Sequence, residues 1–196
     1  MGRRVGVFGG AFDPPHVAHA ALARAAVDQL ALDELRILPT GDAWHKSRTL
    51  SPAGHRLAMA RLAFADLPRV VVDDRELRRA GPTYTVDTLR ELLAEQPGVQ
   101  LFLVMGEDQA AALTRWHDWE TVVALAVIVV AGRAATPGET RAALPPQARF
   151  QPLALPAMAA SATAIRSLVG SGRPIADLVA PGVASYIDRH HLYQQP

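Results

Sequence analysis

Residues 101–105 read Leu-Phe-Leu-Val-Met and residues 125–130 read Leu-Ala-Val-Ile-Val-Val, apolar at every position. A strand with no polar face must be covered on both sides, and between helical segments that requirement is met by a parallel sheet sandwiched between helices. Shorter runs of the same kind stand at Val5–Phe8, Leu35–Leu38 and Arg69–Val72, and Phe150–Leu155 offers a last one. Between them the pattern is helical. Ala20–Leu30 is alanine-rich, Ser51-Pro52 opens a helix running to Asp66, and Thr83 or Thr85 caps another ending at Glu95 before Pro97-Gly98. A short helix starts near Asp118, another opens at Ser161, and a terminal one covers Val183–His191. The expected fold is α/β: a single Rossmann-like doubly wound parallel sheet with helices on both faces and right-handed crossovers. At 196 residues and 49% hydrophobic content, the chain suits one domain, residues 1–196, and is short for two.

Composition removes several classes of function. With 20 basic and 19 acidic residues the net charge is +1, so no global field gathers nucleic acid or an anionic membrane. Cysteine is absent, which excludes disulfides, thiolate metal sites and a catalytic thiol and fits a reducing compartment. The N-terminal residues do not read as a signal peptide, and the longest apolar run, Val122–Ala131, is about half a membrane span. The expectation is a cytoplasmic protein, monomeric or a small homo-oligomer, with neither nucleic acid nor membrane as partner.

The chemistry concentrates in the first loop. After Val5-Gly6-Val7-Phe8 come Gly9, Gly10, Ala11, Phe12, Asp13, Pro14, Pro15, His16, Val17, Ala18 and His19. Gly9 and Gly10 permit positive φ and close approach of a ligand to the backbone, and the following helix N-terminus favours anionic oxygens. The prolines stiffen the exit, and His16 and His19, three residues apart, fall on one helix face. Two imidazoles beside a phosphate cradle can donate to oxygens that gain charge in a transition state. Gly-Gly as a plain turn, with Asp13 as a cap and solvated histidines, is the competing reading.

Gly9-Gly10-x-Phe12-Asp13-Pro14-x-His16-x-x-His19 resembles the signature of the nucleotidyltransferases with an H-x-G-H motif, in the form similar to the bacterial nicotinate-nucleotide adenylyltransferase family. Ala18 stands where that motif usually has glycine, and Ala11 where it has threonine or serine. A second stretch, Ser161-Ala162-Thr163-x-Ile165-Arg166, resembles the family's other nucleotide signature, with Ala160 in place of the common isoleucine. The resemblance implies ATP contacts from Gly9, Gly10, Phe12, Asp13, His16, His19, Gly106, Asp108, Ser161, Thr163, Ile165 and Arg166. Physically, Ser161 and Thr163 are suitable helix caps, and a helix N-terminus with a nearby arginine suits polyphosphate.

The middle of the chain carries the acceptor side of the resemblance. Glu76-Leu77-x-Arg79-x-Gly81-Pro82-Thr83-Tyr84-Thr85 is similar to the turn that in this family presents a helix N-terminus to the mononucleotide. Backbone amides aimed at a carboxylate separate nicotinate from nicotinamide. Trp116, in Trp116-His117-Asp118-Trp119, falls where the family stacks an indole on the pyridine ring, and is preferred here to Trp119 and Trp44. His45-Lys46 keeps the cationic end of a P-P-H-K loop whose prolines are replaced by Ala43-Trp44. The implied acceptor contacts are His45, Lys46, Thr83, Tyr84, Thr85, Trp116 and Arg133.

These readings imply adenylyl transfer from ATP to nicotinate mononucleotide, with His16, His19, Lys46 and Arg166 catalytic. Mg²⁺ is expected through ATP phosphates and water, with no protein side chain as ligand. Three rivals stay open. Another phosphate acceptor, nicotinamide mononucleotide above all, keeps the chemistry; a binding-only regulator keeps the fold; and a hydrolase would use His16 and His19 as metal ligands, for which a third ligand is needed.

Overall fold

The computed structural model describes residues 2–41, 50–132, 144–156 and 158–194. Six parallel strands form one sheet: β1 (Arg4–Gly10), β2 (Glu34–Pro39), β3 (Val70–Val72), β4 (Gln100–Gly106), β5 (Ala126–Gly132) and β6 (Phe150–Ala154), in spatial order β3-β2-β1-β4-β5-β6. The chain moves outward from β1 to β3, then returns to the far side of β1 and moves outward again from β4 to β6. Order therefore reverses between β1 and β4, and their carboxyl ends flank the crevice where open α/β sheets hold ligands.

Among the described residues the helices are α1 (Val17–Gln29), α2 (Ala53–Phe64), α3 (Arg75–Arg78), α4 (Thr85–Glu95), α5 (Glu107–Ala111), α6 (Trp119–Leu125), α7 (Ala162–Gly170) and α8 (Pro181–Arg189), with a 3₁₀ turn at Leu113–Arg115. Alternation along each strand divides the core. Phe8, Leu35, Ile37, Phe102, Val104, Val127 and Val129 face α1 and α2 through Leu22, Ala26, Ala60 and Phe64. Val5, Val7, Leu101, Leu103, Met105, Ile128 and Val130 face α4 and α6 through Val86, Leu89, Leu92, Val122 and Val123. This is the two-faced burial that an all-apolar strand demands. A third cluster seats α7 and α8 on α2, where Met59 meets Ile165, Val183 and Ile187.

Several local expectations shift. α1 begins at Val17, three residues before Ala20, because His16 has the extended backbone of an N-cap (φ −142, ψ 173). Ser51 does not cap α2; the N-cap is Pro52, and the Ser51 amide instead donates to Asp13. Neither Thr83 nor Thr85 caps α4, since Tyr84 occupies that position without a side-chain cap bond. The turn-rich connection after Asp74 contains the short α3. Gly9 and Gly10 continue the extended strand, and it is Phe12 that adopts positive φ, at 48°.

Candidate active site

The floor of the crevice is bare glycine. A side chain at Gly9 would meet nothing nearer than Leu38 O at 4.0 Å, and one at Gly106 nothing within 4 Å. Both strand ends at the reversal point thus leave open space over the backbone. Gly10 is different, since a Cβ there would lie 3.1 Å from the Phe12 ring. Its small size makes room for Phe12, whose left-handed backbone turns the ring into the core against Phe8 at 5.5 Å and Phe64 at 5.7 Å.

That ring also fixes a histidine. Phe12 meets the His19 ring edge-on at 5.1 Å, and His19 stacks on His16 at 3.8 Å between centroids. The His16 amide donates to His19 Nδ1 at 3.2 Å. With Nδ1 accepting, the neutral His19 ring carries its proton on Nε2 and presents that atom as a donor. His16 Nδ1 is buried and has no hydrogen-bond partner. Burial pushes the His16 pKa down to about 4, so at neutral pH the ring is uncharged and available to a ligand's hydrogen bond.

Around the pair runs a frame of buried polar groups. Asp13, only 2% exposed, accepts from the Ser51 amide at 3.1 Å and the Tyr193 hydroxyl at 2.6 Å. Its carbonyl accepts from Arg166 Nη1 at 2.7 Å, and Arg166 Nη2 reaches Thr163 Oγ1 at 3.1 Å. Buried Arg56 donates to the carbonyls of Ala11, Thr40 and Ser51, joining the ends of β1 and β2 to the start of α2. Ser161 caps α7 by accepting from the Ala164 amide. The first amide of α1, that of Val17, is spent on Leu178 O at 3.0 Å, so the helix offers an anion fewer donors than its sequence suggests.

A second group of residues gathers at the start of α4. The Tyr84 ring stacks on His117 at 4.1 Å, and Arg90 pairs with Asp118 at 2.9 Å. Thr83–Thr85 and Trp116–Asp118 are thereby brought side by side, with Trp116 half-buried against the α4–α6 core. Thr83 Oγ1 is buried without a hydrogen-bond partner, and Gly41 packs so closely on it and on the Glu76 carbonyl that a Cβ could not be accommodated. Glu76 is buried, accepts from Thr88 Oγ1 at 2.8 Å, and is pushed up to about 7 chiefly by desolvation.

Comparisons with known proteins place the chain in a family and match its fold. The family model of cytidylyltransferase-like proteins matches residues 7–168. The "Probable nicotinate-nucleotide adenylyltransferase" of Albidiferax ferrireducens is 58% identical over 98% of each chain, and that of Methylibium petroleiphilum 43% identical over 99% of this chain and 94% of its own. The chain belongs to the nicotinate-nucleotide adenylyltransferase family. At the level of fold, Plasmodium falciparum nicotinic acid mononucleotide adenylyltransferase, solved in complex with NaAD, superposes with a TM-score of 0.79 at 17% identity, covering 97% of both chains.

The two signature stretches are tied together in the fold: His16 and His19 stack on one another, and Arg166, beside Thr163 on α7, bonds the Asp13 carbonyl of the same loop, while Ser161 caps α7. Three residues expected to contact ATP have their side chains committed to the protein. Ile165 is fully buried in the third cluster, Phe12 in the first, and the Asp13 carboxylate is taken up by protein donors. Asp108 stands exposed in the first turn of α5 beyond Gly106. His45, Lys46 and Arg133 lie outside the described residues. Sequence pattern does not mark Arg56, Glu76, Gly41 and Tyr193 as site residues, since only the folded arrangement shows what each one touches. A lone polar residue at a helical core position, such as Arg56 on the inner face of α2, was the available signal.

Proposed function

We propose that the chain transfers the adenylyl group of ATP to the 5′-phosphate of nicotinate mononucleotide, releasing pyrophosphate and forming the dinucleotide of NAD biosynthesis. The observation that carries this reading is the stacked His16–His19 pair beside an open glycine floor at the sheet's reversal point. Similarity to curated nicotinate-nucleotide adenylyltransferases over almost the whole length supports the choice of substrates.

A phosphate oxygen of the mononucleotide attacks the α-phosphorus of ATP, and the bond from that phosphorus to the oxygen bridging to the β-phosphate breaks. The attacking phosphate is already anionic near neutral pH, so alignment and charge stabilisation supply the catalysis. The His19 and His16 imidazoles donate to phosphate oxygens. Arg166 neutralises the leaving pyrophosphate after exchanging part of its bonding at Asp13 for phosphate, and Lys46 assists. Among the described residues no group of three or more His, Cys, Asp or Glu is arranged to hold a metal. Mg²⁺ would be carried by triphosphate oxygens and water, where it would screen their charge.

For the acceptor, Trp116 stacks on the pyridine ring while the α4 N-terminus and Thr83–Thr85 take its carboxylate. Pyrophosphate release with ATP and Mg²⁺, measured in parallel with nicotinate and nicotinamide mononucleotides, tests the proposal. Strong preference for the acid supports it. Equal use of both overturns the role of residues 83–85, and release with neither overturns the reaction. Residues 1–196 are proposed to act as one nucleotidyltransferase domain.

A further inference from the structure

Tyr193 lies on the far side of the chain in sequence from the first loop, yet it touches that loop at its most buried charge. Its hydroxyl donates to Asp13 Oδ1 at 2.6 Å and sits 3.9 Å from Met59 Sδ on α2. The residue is held at φ 63°, a left-handed conformation that a bulky L-residue adopts only when its surroundings over-determine it. Asp13 is 2% exposed, and a buried carboxylate is tolerable only if its oxygens are paired. Its other oxygen takes the Ser51 amide, and its backbone carbonyl takes Arg166 Nη1.

We infer that Tyr193 is a positioning residue for adenylyl transfer: through Asp13 it holds both the loop that presents His16 and His19 and the Arg166 guanidinium in the geometry that receives the triphosphate. The chain of contact is short. The hydroxyl fixes the Asp13 carboxylate, Asp13 fixes the backbone between Phe12 and Pro14, and the same residue's carbonyl fixes Arg166. Burial and the neighbouring carboxylate raise the Tyr193 pKa, so the phenol keeps its proton and remains a donor throughout the working range. Removing that donor leaves the carboxylate short of a partner, and the loop relaxes toward water to recover one.

This inference rests on the assignment of His16, His19 and Arg166 to the triphosphate. The test is steady-state kinetics of Tyr193→Phe, which keeps the ring against Met59 and loses only the hydroxyl, with Asp13→Asn and the double variant alongside. Expected is a fall of about tenfold in kcat/KM for ATP, of the size associated with one hydrogen bond to a charged group, with KM for the mononucleotide unchanged. If Tyr193 acts through Asp13, the double variant is no worse than Asp13→Asn alone. Wild-type ATP kinetics in Tyr193→Phe overturns the inference. So does strict additivity in the double variant, or a loss that only follows a lower folded fraction in thermal melts. His16→Ala is measured in the same series: wild-type turnover there removes the site assignment itself, whatever Tyr193→Phe does.

Discussion

A buried imidazole and a buried carboxyl sit on the two sides of this crevice, and their titrations oppose one another. His16 has a folded pKa near 4 against 6.5 unfolded, so the unfolded chain takes up a proton first as pH falls. Its neutral burial therefore favours folding above pH 6.5, and that contribution is lost as pH drops from 6.5 toward 4. Glu76 has a folded pKa near 7 against 4.5 unfolded, so the folded chain keeps a proton the unfolded chain has released. Stability from this group falls as pH rises from 4.5 through 7, by at most about 3 kcal/mol. Glu76→Gln is expected to raise Tm at pH 8 and to leave it nearly unchanged at pH 5, which a pair of thermal melts against wild type checks. His16→Ala should lower kcat roughly 10²- to 10³-fold, as for loss of one preorganised donor, without lowering Tm at pH 5, because an unpartnered buried nitrogen is removed.

At the scale of elements, the proposed acceptor side of the crevice is a junction between the start of α4 and the segment before α6. The Tyr84–His117 stack and the Arg90–Asp118 pair join the two. The ion pair is largely exposed and contributes little, so the stack carries the register between Trp116 and Thr83–Thr85. His117→Ala is expected to raise KM for nicotinate mononucleotide several-fold while KM for ATP stays near wild type, and His117→Phe, which can still stack, should recover most of the loss. Substrate-saturation curves for each nucleotide decide it. On the other side, Arg56 joins the ends of β1 and β2 to α2. Arg56→Met leaves three carbonyls without that donor and should destabilise the fold by about 3 kcal/mol, measured by urea unfolding.

At the scale of the molecule, α7 and α8 are outside the sheet sandwich and are seated on α2 through Met59, Ile165, Val183 and Ile187. Polar ties from the region of α7 and α8 reach the first loop: Arg166 and Tyr193 to Asp13, and Leu178 to Val17. The proposed nucleotide side of the crevice is thus assembled from both ends of the chain. Ile187→Ala, at a site 2% exposed, is expected to cost about 2–5 kcal/mol and to weaken ATP use more than acceptor use. Unfolding curves and the two KM values check both parts.

The all-apolar runs at 101–105 and 126–130, alternating with helical segments, determined a doubly covered parallel sheet, because helices on both sides hide both faces of such a strand. The spacing of Gly9, Gly10, His16 and His19 likewise placed a strand end, a loop and a histidine pair without any long-range information. What the sequence could not determine was the meaning of Phe12, Asp13 and Ile165. A motif records that these residues occur together, whereas their burial against Phe64, Tyr193 and Met59 depends on segments up to 180 residues away. For the same reason the caps at Ser51, Thr83 and Thr85 failed: local propensity favours them, but the tertiary structure turns the Ser51 amide to Asp13 and buries the Thr83 hydroxyl. Periodicity is a local property and was legible. The pairing of buried polar groups is settled only when distant segments close on one another, and there the tertiary structure alone decided.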